Sequence, residues 1–111
     1  MTTTNTYPLP EYDMDIALTL YADHLLAGWK AFADHGANIL PLPTVSFERG
    51  RTYIKVIFNR SAHSFIVIKP TKGFKVGDIL KAATFKAPAT NMARGSVLTG
   101  ALDRTLWCGV I

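Results

Sequence analysis

Apolar residues recur through the first third of the chain at steps of four and three: Met14, Leu18, Tyr21, Leu25, Trp29 and Phe32. That spacing places them on one helical face and predicts a helix over residues 11–35. Asp23, Lys30 and Asp34 fall on the other side, so the helix lies on the body of the protein with a wet outer surface. Glu11, Asp13 and Asp15 sit where the helix dipole favours anions, Pro10 suits a first helical position, and His35-Gly36 supplies a stop. Residues 1–10 read as an extended lead-in.

Past Pro41 and Pro43 the period changes from helical to two. "TVSFERG" alternates Val45 and Phe47 with Ser46 and Glu48. "RTYIKVIFN" sets Ile54, Val56 and Phe58 against Tyr53, Lys55 and Ile57, and "HSFIVIKP" is a nearly continuous apolar strand. With "RG" and "NRSA" as turns, the three segments predict an antiparallel meander. "FKVGDILKAA" opens another strand after a Gly-Asp turn. "TNMAR" reads as one helical turn capped by Thr90 or Asn91, and "RTLWCGVI" as a closing strand that buries Trp107 and Val110. The pattern predicts a single α+β domain: an N-terminal amphipathic helix packed on a four- to five-stranded antiparallel sheet, with curling into a small barrel as a variant. Residues 44–111 form its β-rich part.

Composition changes this picture in one respect, the placement of charge. Residues 1–43 hold five acids and one base, a balance of −4, whereas residues 44–111 hold eleven bases and three acids, a balance of +8. From Arg49 to Arg94 ten cations face a single acid, Asp78. Sorted charge of this kind attracts polyanions. Aromatic residues lie among the cations, and charges that track phosphates beside rings that stack on bases make a platform for single-stranded nucleic acid. The candidates are Arg51, Tyr53, Lys55, Lys75, Lys81, Phe85, Lys86 and Arg94, with Tyr53 and Phe85 as stacking rings and Phe58 and Phe65 assigned to the core. A plainer reading is that lysines at strand edges merely keep a solvated surface from associating.

Other chemistry finds little support. His24, His35 and His63 have no ligand spacing with one another or with Cys108, so no metal is expected. Cys108 reads as a small core residue, and Glu11 with Asp15 as dipole-favoured acids rather than an acid/base pair. The glycines match neither a P-loop nor a dinucleotide fingerprint. No cofactor and no enzymatic activity are expected. The single cysteine cannot close an internal disulfide, the first residues lack the features of a secretion signal, and no apolar run is long enough to span a bilayer. A reducing cytoplasm is the expected location, without membrane contact.

The stretch "GDILKAATFKAPATNMARG" carries a resemblance. Gly77, Asp78, Lys81, Ala82, Ala83, Phe85, Lys86, Ala87, Pro88, Ala89, Ala93, Arg94 and Gly95 resemble a segment of short, uncharacterised tailed-bacteriophage proteins, and cover about a fifth of the chain. This chain has Phe85 where tryptophan is typical of the family, a longer loop before Gly77, and an acidic helix outside the similar region. Those proteins have no assigned activity, so the resemblance implies origin: a phage product acting in the cytoplasm of a host bacterium. Three roles follow as expectations. They are a nucleic-acid-binding protein, an inhibitor or adaptor that docks on a host protein, and a minor virion component that self-associates.

Overall fold

The computed structural model describes residues 10–33 and 43–111, with side chains of the helix from Met14 onward. Helix α1 (Pro10–Ala33) is followed by strands β1 (Val45–Arg49), β2 (Tyr53–Phe58), β3 (Ser61–Val67) and β4 (Ile79–Lys81). These pair antiparallel in the order β1-β2-β3-β4. Strands β5 (Thr105–Leu106) and β6 (Gly109–Val110) form a separate hairpin. The α+β class predicted from periodicity is the observed one, and the described strands form no closed barrel: among them β1 has only β2 beside it. Pro10 does stand at the first helical position, while residues 1–9 of the 1–10 lead-in and the His35-Gly36 stop lie outside the described residues.

The alternation in β2 becomes a burial pattern. Ile54, Val56 and Phe58 are buried with Ile66 and Ile79 against the helix residues Leu18, Tyr21, Leu25 and Trp29. Each such side chain removed from water is worth about 1.5–3 kcal/mol, so this layer dominates the stability. A smaller cluster on the opposite sheet face holds Phe65, Val67 and Leu80, with Tyr53 and Phe74 packed on it.

Several expectations need correction. Phe32 keeps the phase of the helix stripe but is 49% exposed; one side of its ring meets Trp107 at 5.1 Å, and Ala33 is the buried residue of that last turn. "RTLWCGVI" is two short strands joined at Trp107-Cys108 rather than one, so Val110 is buried, Trp107 half-buried and Cys108 exposed. "TNMAR" forms no helical turn. Instead the chain from Arg94 to Val97 runs along the outer edge of β4, with Arg94 N–H bonded to Ile79 O (2.7 Å), Ile79 N–H to Gly95 O (2.9 Å) and Val97 N–H to Gly77 O (2.9 Å). Backbone pairing outcompetes a single turn of helix, whose nucleation is costly.

Two glycines make this edge possible. Gly77 has φ +94°, and a Cβ there would lie 2.6 Å from Leu98 Cγ. Gly95 has φ +147°, and a Cβ would lie 2.1 Å from the Ala101 carbonyl oxygen. Gly95 therefore excludes any side chain, while at Gly77 another residue is strained by the positive φ and would displace Leu98.

Candidate nucleic-acid interface

The segment after β4 is a folded loop. Ala82 bridges Pro88, Ala89 N–H bonds Lys81 O (2.7 Å), and Ala83 and Thr84 N–H both reach Ala87 O. Inside it Thr84 Oγ1 accepts from the N–H groups of Lys86 (3.1 Å) and Ala87 (3.0 Å), a local turn that a threonine hydroxyl is suited to hold. Pro88, which would break a helix, sits without cost in such a loop.

This loop lays Phe85 across the sheet. The Lys55 ammonium lies 4.0 Å from the Phe85 ring centroid and 3.5 Å from Glu48 Oε1, and the Lys55 side chain keeps only 14% of its exposure. Ring and cation attract through the ring quadrupole, at about 0.5–2 kcal/mol depending on desolvation. Lys55 thus acts as the support of Phe85. The ring itself is 50% exposed, with exposed Lys86 beside it in the chain.

The other predicted residues fall into two groups. Lys81 pairs with Ser64, whose side chain faces the helix, so Lys81 projects to that side of the sheet and not to the side of Lys55. With Arg94 it lines a shallow depression of about 630 Å³, together with Ala82, Ala89, Thr90 and Asn91, and no carboxylate. Arg94 is held in place: Nε donates to Met92 O (3.3 Å), Nη2 to Asn91 Oδ1 (3.2 Å) and Nη1 to Ile111 O (3.2 Å). Its remaining N–H groups have no partner among the described residues.

Tyr53 shares a face with Lys55 but is half-buried, edge-on to Phe65 at 6.1 Å. Exposed Arg51 stands in the β1–β2 turn, and exposed Lys75 donates its backbone N–H to Asp78 Oδ2 (2.9 Å). Among the described residues, Arg51, Lys75, Lys81 and Lys86 make no ion pair with a carboxylate, whereas Arg49 is taken by Asp15 of the helix at 3.2 Å. The structure brings Lys81 and Arg94 together, places Phe85 and Lys86 on the adjoining loop with Lys55 beneath, and leaves Arg51 and Lys75 at separate turns.

Sequence reasoning missed a buried polar chain. The register of β2 and β3 shifts between Val56 and Ile57. This bulge turns two consecutive residues, His63 and Ser64, toward Tyr21. His63 Nε2 is 2.6 Å from Leu106 O, so it carries the proton and Nδ1 accepts. Ser64 Oγ–H donates to His63 Nδ1 (3.0 Å), and Tyr21 O–H donates to Ser64 Oγ (2.8 Å). Burial pulls the His63 pKa down, only partly offset by the Leu106 bond, and His24 lowers it further; burial also pushes the Tyr21 phenol up. Neutral imidazole is thus the resident form. His24 Nε2–H donates to the next carbonyl back, Thr105 O (2.8 Å), so two imidazoles pin the β5–β6 hairpin to the domain.

Among the described residues no three His, Cys, Asp or Glu side chains gather as a metal site, and no helix is long and apolar enough to cross a membrane. Compared with known proteins, the chain matches no family model, no curated protein and no solved structure.

Proposed function

We propose that this chain is a small, non-enzymatic protein that binds single-stranded nucleic acid, encoded by a tailed bacteriophage and working in the cytoplasm of its host. The observation that supports this most is the surface around the 82–94 segment. Lys81 and Arg94 share a depression free of carboxylates, and the adjoining loop carries a half-exposed phenylalanine, propped on a lysine of the opposite sheet face. Cations at the depression meet phosphates, and the open part of the Phe85 ring stacks on a base, worth about 1–3 kcal/mol. Lys86 adds a further phosphate contact. Single strands are favoured over duplex because a stacking ring needs an unpaired base.

The reading is tested by titrating a fluorescently labelled single strand and the corresponding duplex at low salt. Single-strand binding several-fold tighter than duplex binding is expected. No binding to either removes the proposal.

A second reading rests on a different surface. Ile16 and Leu20 are 51% and 59% exposed on α1 and, with Leu98, border a groove of about 350 Å³. Such a patch suits docking on a host protein. Capture of a partner from nuclease-treated host lysate, abolished by Leu20→Asp, separates this role from the first.

A further inference from the structure

At the end of the sheet marked by the β2–β3 turn lies a pocket of about 330 Å³, a size within the range of small-molecule sites. Trp29 of the helix, Phe58 of β2, Asn59 of the turn, Ser61 and His63 of β3, and Trp107 of the hairpin line it. Phe58 and Trp107 stand 6.2 Å apart with their planes at 42°. The wall is rigid, because Trp107 directly follows the Thr105 and Leu106 carbonyls held by His24 and His63.

Apart from His63, whose two ring nitrogens are taken by Ser64 and Leu106, its polar side chains have no hydrogen-bond partner among the described residues. Trp29 is only 9% exposed, and its indole N–H finds no acceptor among the described residues. A ligand in the pocket that accepts from this N–H supplies the hydrogen bond it lacks within the protein. The Trp107 indole, the Asn59 amide and the Ser61 hydroxyl likewise have no side-chain hydrogen bond among the described residues. Aromatic walls with donors at their edges call for a flat ring bearing acceptors at its rim. No carboxylate lines the pocket and the chain carries +4, which disfavours a cationic ring.

The C-terminal strand links the pocket to Arg94 of the basic depression. Gly109 lines the pocket, and Ile111, two residues further along the chain, accepts from Arg94. In extended chain that is about 7 Å. A sugar–phosphate leaving the pocket over β6 would meet Lys81 and Arg94.

We propose that this pocket is a nucleobase site: one unstacked base inserts among Trp29, Phe58 and Trp107 and accepts from the indole N–H groups, while its backbone passes to Lys81 and Arg94. This deepens, and as a strand-binding site rests on, the single-strand reading above.

The chain has two tryptophans, and both line the pocket, so they serve as reporters. The experiment follows the indole N–H resonances and tryptophan fluorescence during titration with free nucleosides, an oligothymidylate, and an abasic sugar–phosphate strand of equal length. Anisotropy of each labelled strand reports binding separately. Nucleosides and oligothymidylate should shift both indole resonances and quench fluorescence saturably, while the abasic strand binds more weakly without quenching. Trp107→Ala and, as a milder change, Asn59→Ala should weaken nucleoside binding, by at least tenfold for the first. Strand binding that leaves both indoles unmoved, with nucleosides also silent, overturns the pocket and spares the single-strand reading. Nucleosides that bind while strands do not uphold the pocket and sink that reading instead.

Discussion

At the scale of single residues, His63 sets the response to acid. Its imidazole is neutral in the fold and its pKa lies below the ordinary value of 6.5, because burial disfavours the charged form. Below pH 6.5 the unfolded chain therefore binds a proton that the folded chain resists. Stability from this group is full above 6.5 and declines as the pH falls from there toward the folded pKa. Urea midpoints measured from pH 8 to pH 5 should fall on acidification, and His63→Gln should flatten that slope; a slope unchanged in the variant would remove the assignment. Gly95 makes a sharper case. Its φ alone costs another residue about 1–3 kcal/mol, and the Ala101 carbonyl adds a clash, so Gly95→Ala should lower the melting temperature by at least several degrees.

At the scale of elements, what periodicity can show and what it cannot are both visible. The helix stripe and the alternation in β2 were readable because each repeats over several turns or residue pairs. Phe32 was not, since phase says which way a side chain points but not where the body beneath it ends. The bulge that turns His63 and Ser64 inward interrupts the period itself, and the two-residue strands of the hairpin are too short to have one. The loop carrying Phe85 was readable only in its ends: Ile79 and Leu80 as anchors, Pro88 as a break. That Lys55, two strands from β4 in the sheet order, supports the ring is a tertiary fact. Phe85→Ala should weaken single-strand binding by about 1–3 kcal/mol, roughly 5- to 150-fold, while Phe85→Trp retains it. Anisotropy titration checks both, with circular dichroism to confirm that the fold persists. Leu25→Ala, by contrast, should cost about 2–5 kcal/mol of stability, because Leu25 is fully buried between helix and sheet.

At the scale of the whole molecule, the cations do not form one continuous field. Asp15 of the helix takes Arg49, Glu48 takes a share of Lys55, and Arg51 and Lys75 stand apart. The cations that lie together are Lys81 and Arg94 at the depression, with Lys86 on the adjoining loop, so the account predicts a short footprint with few phosphate contacts. The most direct test is the salt dependence of single-strand affinity in the natural chain and in Lys81→Gln/Lys86→Gln. The logarithm of affinity should fall linearly with that of salt concentration, and the double variant should lose about 0.7 of slope per lysine. Absence of binding at low salt, or a slope that the double variant leaves unchanged, would contradict the account.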